Sequence, residues 1–152
     1  MKKNIILTIS ILLLSTNILA VEKGKWSFVA DQNYCYIGSA PIKEEGEYSK
    51  RGDTYIIVYR INKNSEKTVQ ITAGYNYAEE KPVIVKIDQT SFEFFSSDDT
   101  AWINKKDKEV IFAMQKGLEM TIEGYSSRGT FTKDTYSLKG FTTANNKLSK
   151  DC

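Results

Sequence analysis

Past residue 25, apolar and polar positions alternate in short runs separated by polar clusters. In residues 25–30, Trp26, Phe28 and Ala30 share one face. Asp31-Gln-Asn33 predicts a turn, and residues 34–38 predict a partner strand, giving an aromatic-rich hairpin. Residues 39–52 hold Pro41, Gly46, Gly52 and mixed Glu and Lys, and predict a surface loop. Residues 53–61 form a continuous β-branched and aromatic run, the composition of a strand covered on both faces. Residues 68–75 alternate with Val69, Ile71, Ala73 and Tyr75 inward, and residues 83–88 and 91–95 form a pair around Asp88-Gln-Thr90.

One helix is predicted from Asn104, which can cap, with Asp107 near the first-turn amides. Val110, Ala113 and Met114 form its apolar stripe, Ile111 flanks it, and Gly117 is suited to the C′ position. Lys105 and Lys106 oppose the dipole at its start. Residues 118–124 alternate with Leu118, Met120 and Ile122 inward. Residues 124–141 then predict a Gly-containing bend, a turn at Thr132-Lys133-Asp134 and a last strand over 135–141, with a short terminal helix over 141–148. About eight short strands between turns predict a mainly β fold. The expected architecture is an antiparallel β-sandwich, immunoglobulin-like or jelly-roll-like, with one intervening helix and a short C-terminal helix. A small β-barrel is the alternative.

The first twenty residues follow a different rule. Lys2 and Lys3 precede an apolar core from Ile5 to Leu14, and residues 15–20 resemble a cleavage region, so residues 1–20 are expected to be a signal peptide cut between Ala20 and Val21. The core falls short of the roughly 20 residues of a spanning helix. Residues 21–152 are then expected to form one domain. Without Lys2 and Lys3 the 21 basic residues become 19, balancing 19 acidic ones, and no long basic run remains, which argues against nucleic acid as a partner. Two cysteines, Cys35 and Cys152, enter an oxidising compartment, where an even count predicts a disulfide between them. The expected localisation is periplasmic or secreted.

The chain has no histidine, which removes the Ser-His-Asp and Cys-His nucleophilic arrangements and the commonest metal ligand. Paired cysteines make no zinc site, and no glycine-rich phosphate loop precedes a helix. Carboxylates are the remaining catalytic option. Glu119 and Glu123, four apart on a strand, stand roughly 13 Å apart by rise and fit poorly the two carboxyls about 5–10 Å apart that a glycosidase needs. Asp98 and Asp99 lack the spacing of a calcium loop and read as a turn. No catalytic residue, metal or cofactor is expected. Tyr75, Tyr125 and Tyr136 are read either as sandwich-core and sheet-edge residues or as candidates for a ligand surface, since tyrosine suits interfaces. Arg128 and Asp134 are expected to stand near one another across the turn into the last strand, as a binding pair or as turn scaffolding.

The segment Ser-Leu-Lys-Gly-Phe-Thr-Thr-Ala, residues 137–144, resembles the C-terminal signature of the invasion-associated locus B family of exported bacterial proteins. Trp26 followed by Cys35, Val85-Lys-Ile-Asp88 before an aromatic run, and Ala113-Met-Gln-Lys-Gly117 before an alternating strand are similar to the family's pattern. Many relatives carry a cysteine pair after the Asp88 equivalent, whereas residues 95–101 here contain none, so the cross-linking differs. The resemblance implies export and, for some members, an association with entry into host cells, but no molecular activity. With the catalytic options above set aside, the expected role is a non-enzymatic module binding a protein or envelope component, host surfaces included. A small-ligand carrier and a carboxylate-dependent hydrolase are the alternatives.

Overall fold

The computed structural model describes residues 21–152. The expected leader, with Ala20 of the cleavage point, lies outside the described residues; Val21 lies within them. The elements are β1 (Ser27–Ala30), β2 (Cys35–Ser39), β3 (Lys43–Gly46), β4 (Tyr55–Arg60), β5 (Thr68–Thr72), β6 (Val83–Ile87), β7 (Thr90–Ser97), β8 (Thr100–Trp102), α1 (Asp107–Lys116), β9 (Glu119–Tyr125), β10 (Phe131–Ser137) and α2 (Phe141–Asp151). The strands run in the order β1-β2-β4-β5-β8-β7-β6-β9-β10-β3, every strand pairing among the described residues is antiparallel, and the sheet does not close. This matches the sandwich and not the barrel.

The eight-residue β7 joins the two layers. Its first part pairs with β6 and its last three residues pair with β8. Alternation sends Ile37, Ile56, Val58, Val69 and Ile71 of one layer into the same core as Val85, Ile87, Met120, Ile122 and Tyr136 of the other. Burying each such side chain contributes about 1.5–3 kcal/mol. The outer faces differ. On the first layer Tyr34 stacks on Tyr36 at 5.8 Å and meets Tyr59 edge-on, while Phe95 lies beside Trp102. That aromatic outer face is why the β4 region reads as apolar without a break. On the second layer the outer face is ionic: Lys86 bonds Glu123 at 3.0 Å, Lys43 bonds Glu45 at 2.9 Å, and Lys133 stands opposite both glutamates.

The helices close the core. α2 packs on β1 and β2 through Phe141, Ala144 and Leu148, and α1 packs on β5 and α2 through Val110, Ile111 and Met114. Trp26 meets Phe141 edge-on at 4.8 Å and donates its indole N–H to the Ser137 carbonyl at 2.9 Å.

Several expectations need correction. Residues 39–52 contain β3, a fully exposed edge strand with no apolar alternation, which pairing with β10 holds in place. The strand expected over 68–75 ends at Thr72, and the three-residue β8 is too short for a periodic signal. Helix α1 begins at Asp107, two residues later than a cap at Asn104 would give, the direction in which Lys105 and Lys106 push it. Its N-cap, Lys106, makes no side-chain cap bond, and Asp107 Oδ1 instead accepts the Val69 N–H at 2.8 Å. Leu118, expected inward, is 85% exposed because β9 begins its alternation at Glu119. Gly117 ends α1 with φ −81°, not with a left-handed residue. A Cβ there would come within 2.6 Å of Ile87 Cγ2 and 2.9 Å of Leu138 Cδ1, so close packing explains this glycine.

Cys35 and Cys152 form a disulfide with their Cα atoms 5.7 Å apart, joining the start of β2 to the residue after α2. The bond spans 117 positions, for which chain entropy gives up to about 5 kcal/mol. The double variant Cys35→Ser/Cys152→Ser should therefore lose about 2–5 kcal/mol of stability in urea denaturation. An unchanged midpoint would refute this.

Candidate functional site

A cleft of about 530 Å³ opens between residues 47–52, residues 74–76 and the β9–β10 turn. Its construction starts with Arg51, in the loop between β3 and β4. The Arg51 side chain is 3% exposed and that of Asp134, on β10, is 4% exposed. Arg51 Nη1 and Nη2 donate to the two Asp134 carboxylate oxygens at 2.7 and 2.6 Å, and Nε donates to the Ala73 carbonyl at 2.7 Å. The guanidinium also lies 5.4 Å from the ring centre of Tyr48 and 5.1 Å from that of Tyr75, so two aromatic rings attract its charge. Tyr75 shares a hydrogen bond of 2.7 Å with Thr132. Gly52 N–H donates to the Gly74 carbonyl at 2.9 Å. At Gly74, φ is +72° and a Cβ would overlap the Gly52 carbonyl, so glycine is required for the two loops to meet.

Burial opposes the charge of Arg51, yet the bonds and charge of Asp134 outweigh it and hold the guanidinium above its ordinary value. Burial also pushes the Asp134 carboxyl up, Arg51 pulls it back, and Glu44, 3.7 Å from Arg51, adds to the push. Both carboxylate oxygens accept bonds from the guanidinium, so the ionised pair is the form this geometry holds.

The expected residues are distributed differently. The turn lies at residues 126–130, not at Thr132-Lys133-Asp134: Ser126 N–H donates to the Thr130 carbonyl, Gly129 N–H to the Ser126 carbonyl, and Ser127 N–H to the Asn76 carbonyl. Asp134 sits inside β10, opposite Ile122 and Glu44. Aspartate is rare in strands, and here Arg51 compensates its burial. Arg128 belongs to the turn and lines the cleft, but the ion-pair partner of Asp134 is Arg51. Tyr75 and Thr132 line the cleft. Tyr125 points the other way, against Phe131 at 5.3 Å and under Lys81 Nζ at 3.9 Å. Tyr136 is fully buried and cannot form a ligand surface; its inward phase on β10 makes it core.

Nothing in the local sequence singles out Arg51, because its loop reads as a solvated charge mixture. The only available signal was the inward phase of Asp134, visible once the strand is started at Phe131. Asp98 and Asp99 form the β7–β8 turn: the Asp98 carbonyl accepts the Tyr77 N–H, and Asp99 Oδ1 accepts the Thr100 hydroxyl at 2.8 Å. Glu123 is ion-paired with Lys86. Among the described residues no group of three or more acidic or cysteine side chains is placed to hold a metal ion.

Residues 26–149 match the family model described as invasion associated locus B (IalB) protein. A solved structure, that of invasion associated protein B from Bartonella henselae, is similar with a TM-score of 0.59 over 83% of this chain and 92% of that one, at 20% identity. At that identity the likeness carries the fold. No curated protein matches the chain.

Burial pushes the phenols of Tyr75, Tyr77 and Tyr136 above their ordinary value. Folded values above the unfolded value near 10 favour the neutral form, so this contribution is complete below pH ~10 and is lost as pH rises toward the folded values. The Tyr136 hydroxyl has no hydrogen-bond partner among the described residues. Tyr136→Phe should thus leave stability near neutral pH unchanged or raise it by about 1 kcal/mol, and should lessen the loss above pH ~10. Urea midpoints at both pH values check this; a marked loss near neutral pH would contradict it.

Proposed function

The chain belongs to the invasion-associated locus B family, and from that premise we propose that it is an exported, periplasmic or secreted binding module. It engages a protein or envelope component, host surfaces included, through the cleft beside Arg51. One observation carries this reading: the cleft has a fixed wall and an unpaired cationic rim. The Arg51–Asp134 pair fixes the wall, while Lys50 and Arg128 on the lining have no carboxylate partner among the described residues. Tyr48, 37% exposed, offers a ring beside them. A rigid aromatic surface with adjacent cations suits recognition, because little side-chain entropy is lost on contact.

The chemistry of hydrolysis has less support at this place. Glu47 is the one carboxylate on the lining, whereas acid–base cleavage by carboxylates takes two across the substrate. Carriage of a small apolar ligand is likewise less favoured, since the lining is mostly hydroxyl, amide and cationic groups.

Arg128→Ala, made in the mature chain, tests the reading. Arg128 makes no side-chain hydrogen bond or ion pair among the described residues, so the melting temperature should stay within a degree or two. Capture of envelope or host-membrane components by the immobilised protein should fall. Normal capture with a clear drop in melting temperature would leave Arg128 as turn scaffolding.

A further inference from the structure

Helix α1 turns Val110, Ile111 and Met114 to the core, but its opposite face is not uniformly polar. Phe112 is 59% exposed there. It lies four residues from both Lys108 and Lys116, so the three side chains share a stripe. Lys116 Nζ stands 4.6 Å from the centre of the Phe112 ring. Leu118, two residues past the helix, is 85% exposed.

The charge around this stripe is biased. Lys105 and Lys106 lead into α1, and Lys63 lies in the β4–β5 turn that shares a recess with Lys108 and Phe112. The acidic groups on these segments are Glu66, paired with Lys108 at 3.1 Å, Asp107, tied to the Val69 amide, Glu109, and the exposed Glu119 beside Leu118, against Lys63, Lys67, Lys105, Lys106, Lys108 and Lys116. Lysines therefore exceed carboxylates here, although residues 21–152 are balanced overall. Lys105 holds φ at +57°, a left-handed backbone that a non-glycine residue adopts at a cost. Neither Phe112 nor Leu118 adds to the core, and exposure of both to water is unfavourable.

We propose that this face docks on an anionic phospholipid bilayer. Phe112 and Leu118 enter the headgroup region, and Lys63, Lys105, Lys106 and Lys116 face the lipid phosphates. Charge complementarity selects this occupant: exposed apolar side chains on segments with an excess of ammonium groups match an interface that is apolar inside and negative at its surface. Lysine stems lie along the apolar zone while their heads remain in water. No helix among the described residues is long and apolar enough to cross a membrane, so the association is with the surface. The face is separate from the cleft, and its occupation does not depend on what the cleft binds.

Co-sedimentation of the oxidised mature protein with phosphatidylglycerol/phosphatidylcholine vesicles tests the proposal, with pure phosphatidylcholine vesicles as the control. Binding is expected to the anionic vesicles alone and to be released near 0.5 M salt, roughly where screening reaches a few ångströms. Phe112→Ser and Lys105→Glu/Lys106→Glu should each weaken it by about tenfold or more at unchanged melting temperature, whereas Arg128→Ala should not. Absence of binding to anionic vesicles, equal binding to neutral ones, or binding unaltered in both variants would overturn the proposal. So would release by soluble glycerophosphate at matched phosphate concentration.

Discussion

A guanidinium and a carboxylate, both almost wholly out of water, meet between the loop before β4 and the middle of β10. Removing either charge from water costs several kcal/mol, and that cost is offset only while the partner is present with its bonds aligned. Arg51 meets the condition with two bonds to Asp134, a third to Ala73 and two flanking rings. The loop is thereby held against the end of β5, Gly52 reaches Gly74, and Tyr75 reaches Thr132. The wall of the cleft is the direct product of one ionic constraint between layers.

The remaining scaffold serves that constraint from the other end of the molecule. α2 folds back over β1 and β2, and the disulfide fixes its last turn to the start of β2. With the helices anchored there, the loops at residues 47–52, 74–76 and 126–130 form the opposite end of the sandwich and line the cleft. The two outer sheet faces are chemically distinct, one aromatic and one ionic, and the exposed face of α1 adds a third character. A small neutral domain can in this way present different surfaces without changing its core.

Much of this was legible in the sequence where period and composition agreed. The β1–β2 hairpin, the doubly covered β4, the apolar stripe of α1 and the Cys35–Cys152 bond all follow from local pattern or compartment chemistry. The edge strand β3 was not legible, since Lys-Glu-Glu-Gly has no alternation and its geometry comes from pairing with β10. The site was only partly legible. Arg128 and Tyr75 reach the cleft, but Asp134 read as a turn residue because its partner is 83 positions away. A long-range ion pair leaves no short-range signal. Turn propensity therefore prevails over strand phase at residues 132–134, whereas the inward phase of Tyr136 is the same whether the strand starts at 131 or at 135.

The central claim is that Arg51 and Asp134 act as one buried unit that holds the cleft wall. A double-mutant cycle measures it most directly, using Arg51→Met, Asp134→Leu and the combined variant in urea denaturation. Each single change leaves one charge buried without its partner and should cost about 3–5 kcal/mol, while the combined variant should cost clearly less than the sum of the two. Additive losses, or single losses below about 1 kcal/mol, would contradict the account.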